Sequence, residues 1–383
     1  MRTIVVVVTA RASYSRFKTA LLLLNRSPRI RLHVVLAASA AINRYGDVAR
    51  QMEQDGLTVS AQIPILCPGD SGCAMAKTAG QLIQALAPVF QELAPDAVVT
   101  IADRYETIAT AIAASYQSIP LIHIQGGEVT GNIDEKVRHA ITKLADLHIV
   151  STQRAKNYLV RMGEMQEHII VTGCPSCDLA QQILGQASLR REILERYTSD
   201  PEVLSIRENG YYVVLMHGVT DETASTQSHT RAVLEAAART GMPIVWIAPN
   251  VDAGAGQIHR LRDEIRTKNI HLIHAMDNMD FLELLYFSRG IIGNSSVGIR
   301  ECSFLGVPAV NVGTRQFGRE RGRNVIDVGY DTEDIYQAIC HMYERKGLRD
   351  TLYGDGHAAI AIAHAIENSD LTSKKALSYI FEP

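Results

Sequence analysis

Two serines, Ser295 and Ser296, stand where a strand is predicted to turn into a helix. The apolar run Gly290–Ile292 precedes them, and Val297–Leu305 has the pattern of a helix. The first backbone N–H groups of a helix have no intrahelical partner, and the helix dipole is positive there, so such a turn binds phosphate. Serine is also a preferred helix cap, which explains the same residues without any ligand. The segment Gly293–Arg300 (GNSSVGIR) is therefore a candidate phosphate site or a plain helix start.

Residues able to bind an anion or move a proton stand at the end of nearly every predicted strand. They are Arg11, Asp103, Arg104, His123, Gln125, Glu128, His217, Asn250 and Arg315. Glu301, one turn after the two serines, could accept hydrogen bonds from sugar hydroxyls. Ligands of open α/β sheets bind outside the carboxyl ends of the strands, so the repetition predicts one shared cleft.

A helix predicted from the segment TGNIDEKVRH carries further candidates. Asp134 and Glu135 lie in its first turn and Arg138 lies one turn later. These residues could take part in proton transfer, or they could only compensate the helix dipole and form a local ion pair. The preceding Gly126–Gly127 pair suits a backbone that approaches a ligand, or an ordinary tight turn.

The elements that must position these residues alternate between strands and helices. Predicted strands are Thr3–Thr9, Leu32–Ala38, Thr58–Ile63, Ala97–Ile101, Pro120–Ile124, Leu147–Val150, Ile169–Val171, Tyr211–Met216, Ile244–Ile247, Ile270–His274, Gly290–Gly293 and Ala309–Val312. Predicted helices are Cys73–Leu93, Tyr105–Tyr116, Ile133–Ala145, Glu222–Thr240, Ile258–Lys268, Asp280–Phe287 and Thr332–Lys346. Apolar runs separated by helices predict parallel sheets wound on both sides. We therefore expect an α/β protein with two Rossmann-like domains joined near residues 178–190.

Length and composition agree with two domains and exclude some classes of function. The chain has 383 residues, 46% of them hydrophobic and 21% charged, which is ordinary for a globular protein too long for one core. A net charge of −3 argues against bulk binding of nucleic acid. The N-terminus is too short to span a bilayer and is unlike a secretory signal, so we expect a cytoplasmic protein without a membrane partner.

The cysteines do not predict a disulfide framework or a metal site. Six are scattered along the chain: Cys67, Cys73, Cys174, Cys177, Cys302 and Cys340. The Cys174–Cys177 pair has the spacing of a redox motif, but no second pair exists for zinc. We therefore expect neither a metal nor a redox cofactor.

Several segments together resemble one known family. They are TARASYSR, ADRYE, HIQGGEVTGNIDEKVRHAITKLA, GCPS, HGVT, APNVDAG, IGNSSVGIRE, VNVGTRQFGRERGRNV and YGDG. The chain resembles the hydrolysing UDP-N-acetylglucosamine 2-epimerases, in particular the branch that serves the biosynthesis of sialic-acid-type sugars. The resemblance implies a GT-B-like fold with an N-terminal domain at residues 1–180, a UDP-binding domain at 181–355, and a C-terminal helix within 356–383 that packs back on the first domain.

The resemblance also implies a two-stage reaction. A base removes the proton on carbon 2 of the sugar while UDP leaves carbon 1. Water then adds at carbon 1 of the resulting glycal, and a proton returns to the opposite face of carbon 2. The products would be N-acetylmannosamine and UDP, made by a homodimer or homotetramer from a UDP-sugar and water.

The site residues combine this resemblance with the strand-end positions, and by resemblance Asp103, Glu135 and Arg138 fall at catalytic positions and His217 at a histidine that contacts phosphate. The catalytic candidates are Asp103, Gln125, Glu128, Glu135, Arg138 and His217. The substrate-binding candidates are Arg11, Ser15, Arg104, His123, Asn250, Ser295, Ser296, Glu301 and Arg315.

Three positions depart from the family pattern and leave alternatives open. Gln125 replaces the carboxylate that commonly precedes Gly-Gly, Ser13 replaces a common Asp, and Gly218 replaces the usual Pro. An amide cannot act as a general base, so Asp103, Glu128 or Glu135 would carry proton transfer, or the sugar differs. The alternatives are the same chemistry on UDP-2,4-diacetamido-2,4,6-trideoxyglucose of the legionaminic acid route, a GT-B glycosyltransferase, and a sugar-nucleotide sensor without activity.

Overall fold

The computed structural model of the chain describes residues 1–69, 71–102, 104–130, 133–248, 261, 264, 269–274, 276–371, 375–376 and 378. Two compact units emerge within it. The first unit contains Met1–Glu128, Ile133–Asp178 and Gly354–Pro383, and the second contains Val129–Asn132 and Leu179–Tyr353.

The first unit is built on a parallel sheet of seven strands in the order β3-β2-β1-β4-β5-β6-β7. These strands are β1 (Arg2–Val8), β2 (Ile30–Ala37), β3 (Val59–Ile63), β4 (Ala97–Ile101), β5 (Leu121–Ile124), β6 (Leu147–Val150) and β7 (Ile169–Val171). Its helices are α1 (Arg11–Arg26), α2 (Val48–Gln54), α3 (Gly72–Leu93), α4 (Thr107–Tyr116), α5 (Ile133–Leu144), α6 (Gln153–Arg161) and α7 (Ser176–Gln181), and a later helix joins them.

Alternate residues of β1 explain why helices cover both faces of this sheet. Ile4 and Val6 pack in one buried cluster with residues of α1, whereas Val5 and Val7 pack in another with residues of α3 and α4. Successive side chains of a strand point to opposite faces, so an apolar run such as IVVVV requires a cover on each side. The prediction of a doubly wound parallel sheet is confirmed.

The second unit repeats the arrangement with six parallel strands in the order β10-β9-β8-β11-β12-β13. They are β8 (Tyr212–Leu215), β9 (Ile244–Ile247), β10 (Ile270–Ile273), β11 (Gly290–Gly293), β12 (Ala309–Val312) and β13 (Val325–Val328). Its helices, in chain order, are α8 (Arg191–Glu195), α9 (Pro201–Leu204), α10 (Thr226–Ala238), α11 (Asn278–Tyr286), α12 (Glu301–Leu305) and α13 (Thr332–Met342). The strand β13 was not among the predicted strands.

The last helix, α14 (Ala358–Asn368), belongs to the first unit. Its residues Ile362 and Ile366 are buried in the same cluster as Phe17 of α1. The carboxylate of Asp178 accepts hydrogen bonds from the backbone N–H groups of Ala358 and Ala359, at 2.8 and 2.6 Å. Those donors have no partner inside the helix, so Asp178 caps α14 and fixes where it begins.

One predicted helix is interrupted near its start, and another lies almost wholly outside the described residues. The segment predicted as Glu222–Thr240 forms a 3₁₀ turn at Thr220–Ser225 before α10, because Glu222 has non-helical backbone angles. The predicted helix Ile258–Lys268 lies outside the described residues except at positions 261 and 264. None of the described helices is long and apolar enough to cross a membrane.

Candidate functional site

Both sheets reverse their strand order once, and some of the polar residues predicted from sequence follow the strands at these two points. In the first unit the order reverses between β1 and β4, and in the second between β8 and β11. A crevice outside the carboxyl ends of the strands at such a reversal is where open α/β sheets bind ligands.

In the second unit, His217 follows β8 and is held by the side chain of Asn294, which follows β11. The Asn294 Oδ1 accepts from the His217 backbone N–H at 2.8 Å, and its Nδ2 donates to the His217 carbonyl at 2.9 Å. Both residues are buried, with 6% and 1% of their surface exposed. The two hydrogen bonds fix the backbone that carries the His217 imidazole at the point of strand reversal.

The serines after Asn294 form a cap and a short turn rather than the start of one long helix. Ser295 has an extended backbone and its Oγ accepts from the Val297 N–H at 3.4 Å, while Ser296 begins a 3₁₀ turn. The α-helix proper, α12, starts only at Glu301 and has five residues. The predicted helix Val297–Leu305 is therefore wrong, and both serines are half-buried at the end of β11.

Gly298 explains the interruption. A Cβ at this residue would lie 3.3 Å from the Ala309 Cβ and 3.4 Å from a methyl group of Ile291, so the turn packs closely on the sheet. Arg300 follows, and its Nη2 donates to the Ser296 Oγ at 2.7 Å. A long helix would have placed the positive end of its dipole near the serines. The structure instead places the buried guanidinium of Arg300 beside Ser296.

The loop after β12 brings two more side chains to the same strand end. Arg315 Nη1 and Gln316 Nε2 both donate to the carbonyl of Asn294, at 3.3 and 2.9 Å. Gly313 has φ +75°, and a Cβ there would collide with the Tyr330 hydroxyl at 2.2 Å. The loop therefore requires glycine at this position to bring Arg315 beside Asn294.

Glu222 ties the same loop down from a third element. Its carboxylate accepts from the Tyr330 hydroxyl at 2.6 Å and from the Thr314 hydroxyl. The ring of Tyr330 also stacks on His229, with centroids 3.4 Å apart. Burial raises the pKa of Tyr330 and lowers that of His229, so both remain neutral at physiological pH.

Glu301 offers a hydrogen-bond acceptor at the first turn of α12. Its Oε2 is buried and has no hydrogen-bond partner among the described residues. A buried carboxylate oxygen without a donor is costly, so a ligand hydroxyl at this place would satisfy it.

In the first unit, His123 lies buried inside β5 and its ring is held on both sides. The Ala102 carbonyl, 3.0 Å from Nε2, can only accept, so Nε2 carries the proton. The Nδ1 of the ring lies 3.4 Å from the Thr142 hydroxyl. A Cβ at Gly126 would lie 2.9 Å from Nδ1, so glycine is required for this packing.

Gln125 follows β5 in the left-handed backbone region, with φ +66°. Its Oε1 accepts from Arg16 Nη1 at 3.1 Å, and its Nε2 donates to the Cys174 Sγ at 2.8 Å. Cys174 lies 2.9 Å from the Ser176 hydroxyl in turn. The amide is thus oriented by α1 on one side and by the segment before α7 on the other, and it is 3% exposed.

The loop after Gln125 is anchored by α5. Arg138 is fully buried, and its Nη1 donates to the Glu128 carbonyl at 2.6 Å. Glu135, one turn earlier on α5, is half-exposed and its Oε1 lies 3.3 Å from His139 Nε2. The helix therefore presents a carboxylate and a cation at the edge where Gln125 and Glu128 lie.

The remaining candidates are Arg104, Arg11, Ser15, Asp103 and Asn250. Arg104 forms an ion pair with buried Glu106 at 2.7 Å, and burial raises the pKa of the neighbouring Tyr105 to about 12. Arg11 begins α1 with its side chain beside Gly46, and Ser15 is half-buried on the same helix. Asp103 and Asn250 lie outside the described residues.

Several residues that contact the candidates were not assigned to the site from sequence, among them Arg16, Thr142, Cys174 and Asn294. Asn294 stands inside the GNSS segment and could have been found there, because an amide before two serines can bridge two strand ends. The contact of Arg16 with Gln125 spans 109 positions, so no local pattern signals it.

Comparisons with known proteins agree on one family. A family model described as UDP-N-acetylglucosamine 2-epimerase matches residues 23–367. A Legionella pneumophila protein named UDP-N,N'-diacetylbacillosamine 2-epimerase (hydrolyzing) is 32% identical, with 93% of each chain covered. A Neisseria meningitidis UDP-N-acetylglucosamine 2-epimerase is 30% identical, with 88% of this chain and 87% of the relative covered.

Solved structures match the fold over nearly the whole chain. The crystal structure of a UDP-GlcNAc 2-epimerase from Neisseria meningitidis bound to UDP-GlcNAc has a TM-score of 0.80 at 21% identity, covering 95% of this chain and 99% of that one. A Methanocaldococcus jannaschii UDP-GlcNAc 2-epimerase in complex with UDP-GlcNAc and UDP has a TM-score of 0.79 at 18% identity, with the same coverage. These matches confirm the predicted GT-B-like fold class.

Proposed function

Because the chain belongs to the UDP-N-acetylglucosamine 2-epimerase family, we propose that it is a hydrolysing 2-epimerase of UDP-2-acetamido sugars. The first candidate substrate is UDP-N-acetylglucosamine, and the products are N-acetylmannosamine and UDP. One water molecule is consumed, the bond between carbon 1 and the UDP oxygen breaks, and the configuration at carbon 2 inverts.

The observation that carries this proposal is the fixed position of His217 at the strand reversal of the second unit. UDP leaves with its negative charge on the pyrophosphate, and donors that are held in place before the reaction stabilise such charge best. The Asn294 side chain fixes the His217 backbone at 2.8 and 2.9 Å, and Asn294 also accepts from Arg315. We assign His217, Ser295, Ser296 and Arg315 to binding of the pyrophosphate.

Glu301 fits the sugar part of the nucleotide. Its buried Oε2 has no hydrogen-bond partner among the described residues, and it follows the serines in the chain. A ribose offers two vicinal hydroxyls, which are the donors that such a carboxylate accepts. We therefore assign Glu301 to the ribose.

Proton transfer at carbon 2 belongs to the first unit in this proposal. The carbon 2 proton is weakly acidic, so its removal requires a placed base. Glu135 is a carboxylate with partial exposure on α5, and Arg138 beside it fixes the Gln125–Glu128 loop through the Glu128 carbonyl. We assign proton transfer to Glu135 together with Asp103, with Glu128 and Gln125 facing the sugar.

A second candidate substrate is supported by two observations. The Legionella relative, at 32% identity, is named for UDP-N,N'-diacetylbacillosamine, a 2,4-diacetamido-6-deoxy sugar nucleotide. In addition, Gln125 is neutral and both ends of its amide are engaged, by Arg16 and by Cys174. An amide in place of a carboxylate suits a sugar that carries a further acetamido group, because it can both donate and accept.

Incubation with both sugar nucleotides in heavy water tests the proposal. Proton NMR should show UDP release together with a free 2-epimerised sugar that carries deuterium at carbon 2. The sugar nucleotide that the protein turns over faster identifies the preferred sugar. Interconversion of two UDP-sugars without UDP release would contradict the hydrolytic reaction, and inertness toward both would contradict the proposal as a whole.

A further inference from the structure

The chain after α14 returns to the end of α5 at Lys375. Its Nζ donates to the carbonyl of Thr142 at 3.1 Å and to that of Ala145, and it also contacts the carboxylate of Glu164. The last carbonyls of a helix have no partner within the helix, and a lysine is well suited to satisfy them. Lys375 therefore holds the C-terminal end of α5 from a distant part of the chain.

Glu164 is the buried anchor of this contact. Its side chain is 2% exposed and lies 2.8 Å from Lys143 Nζ and 3.0 Å from His148 Nε2, in addition to Lys375. Lys143 belongs to α5 itself and His148 belongs to β6. Of these three partners, Lys375 is the one that lies in the C-terminal segment. It is also the one that contacts the carbonyls at the C-terminal end of α5.

A chain of contacts leads from Lys375 to the candidate site. Lys375 binds the Thr142 carbonyl, and the Thr142 hydroxyl faces His123 Nδ1 at 3.4 Å. His123 Nε2 donates to the carbonyl of Ala102, the residue before Asp103, at 3.0 Å. His123 and His148 are register partners on β5 and β6, so their side chains project from the same face of the sheet.

The same helix carries the groups to which we assign proton transfer. Glu135 lies about two turns and Arg138 about one turn before Thr142 on the same helix, α5. Arg138 also holds the Glu128 carbonyl at 2.6 Å. A shift at the C-terminal end of α5 would therefore move a carboxylate, a cation and a loop together.

We propose that Lys375 is a positioning residue, which fixes α5 through the carbonyls of Thr142 and Ala145 and the carboxylate of Glu164 and thereby sets Glu135 and Arg138. This inference rests on the proposed function, which assigns proton transfer to Glu135 and support of the Gln125–Glu128 loop to Arg138. The UDP-binding residues lie in the second unit, so loss of Lys375 affects turnover and leaves UDP affinity unchanged.

The test compares Lys375→Met with Lys143→Met and Lys375→Arg in the full chain. Lys143 is a matched control, because it also pairs with Glu164 and donates to one backbone carbonyl, that of Met162. We expect Lys375→Met to lower kcat by about ten- to a hundredfold, as small misplacements of catalytic groups do. Lys143→Met should retain turnover, and Lys375→Arg should restore most of it.

Two readouts separate positioning from general stability. UDP affinity by calorimetry should be equal in all variants. Hydrogen exchange of the α5 peptide should rise in Lys375→Met and not in Lys143→Met. Equal losses of kcat in the two methionine variants, or unchanged kcat and exchange in Lys375→Met, would overturn the inference. A wild-type protein that is inert on both sugar nucleotides would instead refute the proposed function, and the α5 exchange would still decide the role of Lys375.

Discussion

The side chain of Asn294 hydrogen-bonds to both backbone polar groups of His217, although the two residues are 77 positions apart. The pair joins the ends of β8 and β11 at the point where the strand order of the second sheet reverses. Arg315 and Gln316 donate to the carbonyl of the same asparagine. Asn294 thus supports both His217 and Arg315, two of the residues to which we assign pyrophosphate binding.

Asn294→Ala should weaken UDP binding and lower stability together. The substitution removes the hydrogen bonds of Asn294 to the buried N–H and carbonyl of His217, and loss of such a bond costs about 1–3 kcal/mol. Calorimetric titration with UDP and urea unfolding measure the two effects. Asn294→Asp is the matched control. It keeps the acceptor for the His217 N–H but places a carboxylate oxygen against the His217 carbonyl. We therefore expect UDP affinity and stability to fall in this variant as well. Full UDP affinity in Asn294→Ala would remove the residue from the support of the site.

Ser295→Ala combined with Ser296→Ala should weaken UDP binding, and so should His217→Ala in a separate variant. Hydrogen bonds to a charged group contribute about 1.5–3 kcal/mol, and both serines lie at the end of β11. Calorimetry with UDP is the measurement. Ser205→Ala serves as the control, because its hydroxyl in the same unit donates only locally, to the Glu202 carbonyl. Unchanged UDP affinity in the double variant would mean that Ser295 only accepts from the Val297 N–H and that Ser296 only accepts from Arg300.

The sheets could be predicted from sequence because their strands are buried on both faces and read as apolar runs. Ala97–Ile101 and Leu147–Val150 were predicted to the residue. The strand Val325–Val328 was missed because it is short and Asp327 interrupts its apolar pattern, pairing with Arg321 and Asn311. A polar residue at the edge of a sheet is satisfied by neighbours that no local window contains.

The candidate site was predictable in its residue types but not in its contacts. Strand-end positions pointed to His217, Gln125 and Arg315, because ligands bind where parallel strands end. The long helix after the serines was predicted wrongly, since propensity gave no weight to the close packing of Gly298 on Ala309. The partners of these residues come from distant parts of the chain, so periodicity could not supply them.

Glu135→Gln should lower kcat by a factor of about 10²–10⁴ while UDP affinity is retained, because an amide cannot exchange the carbon 2 proton. Asp103→Asn should act in the same way. Turnover by NMR and UDP titration on the same samples separate the two quantities. His139→Gln is the control for this contact, since His139 Nε2 lies 3.3 Å from the Glu135 carboxylate. If His139→Gln lost as much activity as Glu135→Gln, the contact and not the carboxylate would be required.

Gln125→Glu should change the rate or the sugar preference while the fold is kept. The new carboxylate would still accept from Arg16, but it could no longer donate to the Cys174 sulfur. The thiol would have to turn and donate instead. Activity on UDP-N-acetylglucosamine and on the 2,4-diacetamido analogue, compared between wild type and variant, measures the preference.

Two further outcomes decide what Gln125 does. If Gln125→Ala is as active as wild type on the same substrate, the residue is a bystander, and its link to the sugar fails. If wild type is inert on both sugars and Gln125→Glu gains activity, the native protein binds sugar nucleotides without turning them over. Cys174→Ser is the matched control, because a hydroxyl still accepts from the amide and should preserve the wild-type preference.

Glu164 should make the stability of the first unit depend on acid pH. Hydrogen bonds from His148, Lys143 and Lys375 outweigh the effect of burial and lower the pKa of Glu164 to about 2, from an ordinary value of 4.5. A carboxyl whose pKa is lower in the folded state contributes its full stability above the unfolded pKa and loses it as pH falls toward the folded one. Wild type should therefore exceed Glu164→Gln in free energy of unfolding above pH 4.5, and the difference should shrink between 4.5 and 2.

Urea unfolding of both proteins across this range measures the difference directly. Burial lowers the pKa of His148 and the Glu164 carboxylate raises it, so His148 also contributes to the difference between the two proteins. Glu167→Gln, on the 3₁₀ turn just after Glu164, is the control for a general change of charge and should give a difference near zero at every pH. A wild-type advantage that stayed constant from neutral pH to pH 3 would mean that the buried carboxylate contributes packing and not charge.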